Sequence, residues 1–294
     1  MFQRINVLAL QTLTIYATSG TAEIFRAMAS SFAQGVARLQ HLRLVRVPKS
    51  EAADVVNGLD VFLLSFSGLR SFRLHCDDCD LVDVDGIVNH GETLKVLSLV
   101  VGGIHRKEAD KCFDAVDLQQ IATACTALEQ LCLNLYEIDT DRLESDVLGS
   151  LPGVPPVYNE FEEALSAISS IPKLRILRLT NAPNYRQVYH RSGELMHSFL
   201  RSLQRGEQRY AFKARADGVM QYLAEHGSKI QFLAFSPMEH LKKADNPDKH
   251  GHSWPDYYYY RGRLTDHKGA DIAVARPLAN WQEEFPDANV LGEV

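Results

Sequence analysis

The sequence predicts an α/β fold: an irregular solenoid of seven strand–helix units, with a parallel sheet on its concave side and a C-terminal β-hairpin cap. Two observations support this prediction. One short apolar pattern recurs seven times, and most of the intervals between its copies show helical periodicity. The pattern then stops, and two alternating runs separated by a turn follow it near the C-terminus.

The recurring pattern is an aliphatic residue, two variable residues, a large apolar residue, one variable residue and another apolar residue. It occurs at residues 5–10, 39–44, 69–74, 94–99, 128–133, 174–179 and 230–235. A strand of this form, repeated along a chain, predicts a leucine-rich-repeat architecture. The intervals between copies range from 25 to 56 residues, so the repeat is irregular and the longest intervals contain insertions.

Helical periodicity fills most of the intervals. In residues 22–39 one predicted helix face carries Ile24, Phe25, Met28, Phe32, Val36 and Leu39. The same alternation returns in residues 52–66, 113–128, 161–171 and 218–230. Helices of this kind are expected to pack on one side of a parallel sheet.

The composition changes after residue 235. Residues 242–252 form a polar linker, and residues 257–264 and 270–276 are predicted strands joined by a turn over residues 265–269. Because the last repeat of a solenoid needs a cover for its apolar end, this hairpin is predicted to be a cap. The predicted domains are therefore residues 1–240, the leucine-rich-repeat-like solenoid, and residues 241–294, the linker and cap.

The overall composition narrows the classes of function. With 294 residues, 46% of them hydrophobic, the chain can bury a sizeable core. A formal net charge of −6 gives no general attraction to nucleic acid or anionic membranes, and no apolar run approaches the length of a membrane span. Five cysteines, an odd number, predict reduced thiols and a cytoplasmic or nuclear protein.

At these motifs, and at residues 257–263 and 273–278, the chain resembles the leucine-rich-repeat region of fungal F-box-type proteins. The resemblance implies a non-enzymatic scaffold for protein–protein interaction, and more narrowly substrate recognition for an SCF-type ubiquitin ligase. The four residues printed before the first motif are too few for an F-box module. A ubiquitin-ligase core is therefore expected as a partner only where an F-box is supplied.

Alternation along each strand predicts which side chains face a partner. The third, fifth and seventh positions of each motif should share the concave face, and in the first motif these are Val7, Ala9 and Gln11. The polar candidates for partner binding are His41, Arg43, Arg73, His75, Gln130, Asn134 and Arg178.

Among these candidates, Arg43 and Arg73 give the most specific prediction. On adjacent strands they would lie about 4.8 Å apart, where two guanidinium groups repel each other unless an anion joins them. This predicts a site for a carboxylate or phosphate of a partner. The alternative is that both arginines pair with nearby acidic side chains or remain hydrated.

No catalytic, cofactor-binding or metal-binding residue is predicted. The nearest metal motif is His75 with Cys76 and Cys79, but a second cysteine pair at related spacing is missing. The nucleophile-elbow, phosphate-loop, dinucleotide and zinc-helix motifs are absent from the sequence. The alternative function is an enzyme whose site combines the loop at residues 149–158, Asp83 and Asp85, and the histidine-bearing tail with His250 and His252.

Overall fold

The computed structural model describes residues 6–45, 47, 49–76, 79–101, 112–135, 160–180, 200–235, 257–265, 267–278 and 281–291. The strands in these ranges are β1 Thr12–Tyr16, β2 His41–Val45, β3 Ser71–Cys76, β4 Val96–Val101, β5 Gln130–Leu133, β6 Ile176–Leu179, β7 Phe232–Phe235, β8 Tyr257–Thr265 and β9 Asp271–Pro277. The α-helices are α1 Thr21–Phe32, α2 Ala52–Leu64, α3 Val84–Val88, α4 Ala115–Ala124, α5 Glu160–Ser169, α6 Leu200–Glu225 and α7 Trp281–Glu284. Two short 3-10 helices span Val7–Ala9 and Lys49–Glu51.

The nine strands form one sheet whose spatial order follows the chain order from β1 to β9. Strands β1 to β7 pair in parallel, and β8 and β9 add an antiparallel hairpin to the edge at β7. The predicted α/β class with a parallel sheet is confirmed, and the predicted C-terminal hairpin is present. The predicted boundary between residues 240 and 241, and the linker at residues 242–252, lie outside the described residues.

A repeated hydrogen-bond arrangement stacks each unit on the previous one. The carbonyl of Gln11, which directly precedes β1, accepts hydrogen bonds from the amides of Gln40 and His41 at 2.9 and 3.0 Å. The carbonyl at the equivalent position before each strand from β2 to β6 accepts two amides of the following unit in the same way; these carbonyls belong to Gln40, Arg70, Lys95, Glu129 and Arg175. Every strand from β2 to β7 begins at the third residue of its motif.

The first strand corrects the sequence prediction. Residues 5–10 were predicted as a strand, but Val7–Ala9 is a 3-10 helix and β1 begins at Thr12. Thr12 pairs with His41, so the segment equivalent to the later motifs is residues 10–15, which follow the same spelling five residues downstream. Val7, Ala9 and Gln11 therefore do not take the facing positions, which belong instead to Thr12, Thr14 and Tyr16.

The main core lies between one face of the sheet and the helices. Leu42, Leu44, Phe72, Leu97 and Leu131 point into it, and each is at most 1% exposed. Four phenylalanines from α1, α2 and the residues after α2 stack in its N-terminal part, with neighbouring ring centroids 5.0–5.5 Å apart: Phe25, Phe32, Phe62 and Phe66.

Three of the cysteines, Cys76, Cys79 and Cys125, belong to this packing. All five are free thiols, and only Cys112 is more than marginally exposed. Burial raises the pKa of Cys125 to about 12 and that of Cys112 to about 11. Neither thiol ionises readily near neutral pH, so both behave as small apolar side chains rather than as nucleophiles.

Candidate binding face

The opposite face of the sheet, here called the second face, carries most of the predicted binding residues. The strand register aligns its side chains in rows that cross the strands from β1 to β4. From one strand end to the other, the three rows are Thr12, His41, Ser71 and Val96; Thr14, Arg43, Arg73 and Ser98; and Tyr16, Val45, His75 and Val100.

Arg43 and Arg73 are direct register partners in the middle row. Both side chains are half-buried. Burial, together with the charge of Arg43, lowers the pKa of Arg73. Among the described residues, no carboxylate forms an ion pair with Arg73. The predicted adjacency of the two arginines is therefore present.

Three other side chains lie beside this pair. His41 is exposed in one flanking row, and His75 is half-buried in the other. Tyr16 is 63% exposed at the β1 end of the row that contains His75. The structure thus brings together four of the predicted residues, His41, Arg43, Arg73 and His75, and adds Tyr16, which the misplaced first motif had missed.

The part of the second face formed by β4 to β7 is covered by the chain itself. Residues 281–291, here called the tail segment, return across these strands after the hairpin. Five side chains of the tail segment join a second apolar cluster with the sheet: Trp281, Phe285, Ala288, Val290 and Leu291. The sheet contributes Val96, Cys132, Ile176, Phe232 and Ala234. The rings of Phe232 and Phe285 meet with their centroids 4.7 Å apart.

Polar side chains of the sheet hold the backbone of the tail segment. The Gln130 amide donates to the carbonyl of Asp287 at 2.5 Å and accepts from the amide of Val290 at 3.2 Å. Arg178 donates to the carbonyl of Val290 at 2.9 Å. Arg175, which precedes β6, forms an ion pair of 2.7 Å with the Asp287 carboxylate.

These contacts correct the prediction that Gln130, Asn134 and Arg178 are available to a partner. Gln130 is 3% exposed and Arg178 is 6% exposed, because the tail segment lies over them. Asn134 is also engaged within the chain: its amide nitrogen donates to the carbonyl of Val101, and its amide oxygen accepts from the hydroxyl of Thr180. The second face therefore has a covered half, from β4 to β7, and an open half, from β1 to β3.

Sequence reasoning missed the tail segment. Trp281 and Phe285 are spaced by four residues, as on a helix face, and this spacing is the local signal that could have marked an apolar segment after the hairpin. Nothing local indicates where the segment binds. Its contacts with Gln130 and Arg178 join residues more than one hundred positions apart in the chain.

Most residues of the predicted enzyme alternative are not covered by the structure. Residues 149–158, His250 and His252 lie outside the described residues. Asp83 caps helix α3 by accepting a hydrogen bond from the amide of Asp85 at 3.0 Å. Within the described ranges, no group of three His, Cys, Asp or Glu side chains could hold a metal ion.

No protein-family model, no curated protein and no solved structure matches this chain. Every helix in the described ranges is too short or too polar to span a bilayer.

Proposed function

We propose that this chain is a leucine-rich-repeat-type solenoid that binds a protein partner without catalysis, using the open half of its second face. The observation that carries the proposal is the register pairing of Arg43 with Arg73 on that half. The strictly sequential order of the parallel strands supports the solenoid interpretation, because stacked repeats place each strand beside the strand of the preceding repeat.

The binding mechanism is rigid display. Parallel strands hold Arg43 and Arg73 at the backbone spacing of the sheet, about 4.8 Å, and the repeated carbonyl arrangement before the strands fixes their register. The backbone that carries the two arginines then loses little conformational entropy when a partner binds. A guanidinium group binds carboxylates and phosphates through two parallel hydrogen bonds, so the partner should present an acidic group.

A narrower proposal follows from the resemblance to fungal F-box-type proteins. In that setting the open half would recognise the substrate of an SCF-type ubiquitin ligase, with the F-box supplied in addition to the segment described here. The support for this narrower proposal is the repeated motif and the C-terminal segments at residues 257–263 and 273–278.

Affinity capture with quantitative mass spectrometry tests both proposals. The baits are the full chain, the double variant Arg43→Gln/Arg73→Gln, and the control variant Lys229→Gln, which removes an exposed positive charge before β7. A hydrogen bond to a charged group contributes about 1.5–3 kcal/mol. Partners that use the open half should therefore fall at least about tenfold with the double variant and remain unchanged with the control.

The outcomes separate the two proposals. Equal recovery of every partner by all three baits would show that the arginine pair does not bind partners. Recovery of ligase-core subunits with a form that carries the F-box would support the ligase proposal. Their clean absence from that capture would reject the ligase proposal while leaving an arginine-dependent partner in place. Urea unfolding of each bait checks that the variants are folded.

A further inference from the structure

The two edges of the sheet differ in how they are protected. At the C-terminal edge, the amide of Ala275 in β9 donates to the carboxylate of Asp217 in α6 at 2.8 Å. Strand β9 also ends in Arg276 and Pro277. A covering helix, a charge and a proline all discourage further strand pairing. At the other edge, β1 pairs only with β2 among the described strands, and its sequence includes no charge and no proline. The β1 edge is therefore the one that can accept another strand.

The unused hydrogen-bonding groups of β1 belong to alternate residues. The carbonyl of Gln11, just before β1, and the amide of Ala17, just after it, bond residues of β2 at 3.0 and 2.9 Å. Because backbone groups alternate in direction along a strand, the N–H and C=O groups of Thr12, Thr14 and Tyr16 point away from β2. Within the described ranges, no hydrogen bond reaches these outward groups. They form a ladder that a further strand can complete.

The apolar side chains of β1 are incompletely buried. Leu13 and Ile15 pack against the main core but are only partly buried. Their register partners in β2, Leu42 and Leu44, are at most 1% exposed. The difference arises because β2 has a neighbouring strand on each side and β1 has one on a single side. A further strand and helix beside β1 would complete the burial of Leu13 and Ile15.

Helix α1 extends this apolar end. Arg26 pairs with Asp54 of α2, so that side of α1 faces α2. Ile24 precedes Arg26 by two residues, which is about 200° around a helix, and it therefore projects away from α2, on the side beyond β1. Its side chain is 50% exposed. An extended peptide would complete the β1 ladder but leave Ile24 uncovered, whereas a second copy of the chain supplies both a strand and a helix.

Strand β1 is complementary to itself in the antiparallel direction. A two-fold axis beside Thr14 pairs this residue with its own equivalent and pairs Thr12 of one copy with Tyr16 of the other. This register uses every outward group of both strands. It also sets Leu13 of one copy opposite Ile15 of the other on the core face, where apolar side chains favour pairing. Because helix α6 covers the β9 edge, the association closes as a pair of copies and does not continue head to tail.

We infer that two copies of this chain associate through antiparallel pairing of their β1 strands, with Leu13, Ile15 and Ile24 in the contact. The product is a closed dimer with one continuous sheet, in which the open halves of the two second faces lie side by side. The association does not depend on the proposed function.

Sedimentation equilibrium of the full chain measures the association. At about 50 μM the unaltered chain should sediment as a dimer, at twice the 33.0 kDa mass of one copy. Thr14→Pro removes the central outward N–H and places a ring at the edge, without removing a hydrogen bond to β2. It should raise the dissociation constant at least about thirtyfold, because both central hydrogen bonds of the dimer are lost. The control Thr14→Val keeps the N–H and should dimerise like the unaltered chain.

A second pair of variants tests the helix contact. Ile24→Lys places a charge in the contact and should raise the dissociation constant at least about fivefold. The control is Val61→Lys in α2, which adds the same charge at a side chain of similar exposure, 52% against 50% for Ile24, and should leave the dissociation constant unchanged. Urea unfolding checks that each variant is folded.

Cysteine cross-linking tests the register. In the inferred dimer the Cα atoms of the two Thr14 residues are about 5.5 Å apart, within the range of a disulfide. Thr14→Cys should therefore give a cross-linked dimer on mild oxidation. The two Thr12 residues would be about 14 Å apart, because a strand rises about 3.4 Å per residue. The control Thr12→Cys, like the unaltered chain, should remain uncross-linked.

Three outcomes would overturn the inference. They are a monomeric chain at about 200 μM, a dimer that folded Thr14→Pro leaves unchanged, and equal cross-linking of Thr12→Cys and Thr14→Cys. If Thr14→Pro does not fold, the comparison of Ile24→Lys with Val61→Lys and the cross-linking decide, and equal dissociation constants for the two lysine variants would then reject the β1 contact.

Discussion

Replacing Gln130 with alanine should release the tail segment without unfolding the chain. The Gln130 side chain makes two hydrogen bonds to that segment, to the carbonyl of Asp287 and the amide of Val290, and is 3% exposed. The variant leaves the buried Val290 amide without this partner, whereas the Asp287 carbonyl still accepts a hydrogen bond from the amide of Asn289 at 2.8 Å. A buried group that loses its hydrogen bond costs about 1–3 kcal/mol, so the variant should weaken attachment of the tail segment by about 1–3 kcal/mol. A domain of ordinary stability, about 5–15 kcal/mol, survives this loss.

Hydrogen exchange read by mass spectrometry locates the effect. In Gln130→Ala, peptides that cover residues 281–291 should exchange at least about fivefold faster, while peptides from β2 and β3 should be unchanged. The control is Gln231→Ala, which removes an exposed glutamine before β7 and should leave exchange of the tail segment unaltered. Unchanged exchange of residues 281–291 in Gln130→Ala would refute the assignment of Gln130 as the residue that holds this segment.

Two further predictions concern stability. His90 is 2% exposed, and burial lowers its pKa to about 4 from about 6.5; the neutral form therefore stabilises the fold fully above pH 6.5, and this contribution is lost as the pH falls toward 4. Between pH 7 and 5, the free energy of unfolding in urea should fall by about 2 kcal/mol more in the unaltered chain than in His90→Gln. Parallel pH profiles of the two proteins would contradict this prediction. Phe62 is fully buried against three other phenylalanine rings. Replacing it with alanine should lower the free energy of unfolding by about 3–5 kcal/mol. The neighbouring Val61→Ala, at a side chain that is 52% exposed, should lose less than about 0.5 kcal/mol, and equal losses for the two variants would show that the phenylalanine cluster is not a centre of packing.

The recurring motif predicted most of the strands because its apolar positions are those that must be buried in the core. In six of the seven motifs the fourth and sixth residues point to the main core, and the strand begins at the third residue. The same logic located the hairpin: residues 257–264 and 270–276 were predicted, and β8 and β9 cover residues 257–265 and 271–277. Alternation of apolar and polar residues over a short stretch of sequence suffices to predict such strands.

The first repeat shows where the local pattern is ambiguous. Residues 5–10 and residues 10–15 both satisfy the motif, and no rule of composition separates them. Pairing with β2 decides between the two frames, because only the second frame aligns Thr12 with His41 and gives Gln11 the carbonyl position that the later repeats share. The choice brings Thr14 and Tyr16 to the candidate site.

By itself, the sequence determined the α/β class, the identity of six of the seven parallel strands, the C-terminal hairpin and the placement of Arg43 beside Arg73. These features depend on alternation and on the stacking of successive units, which are local properties. Only the tertiary structure decided which half of the second face is open. That division depends on the contact between residues 281–291 and Gln130, Arg175 and Arg178. Such a contact brings together polar and apolar groups far apart in the chain, and no local periodicity encodes it.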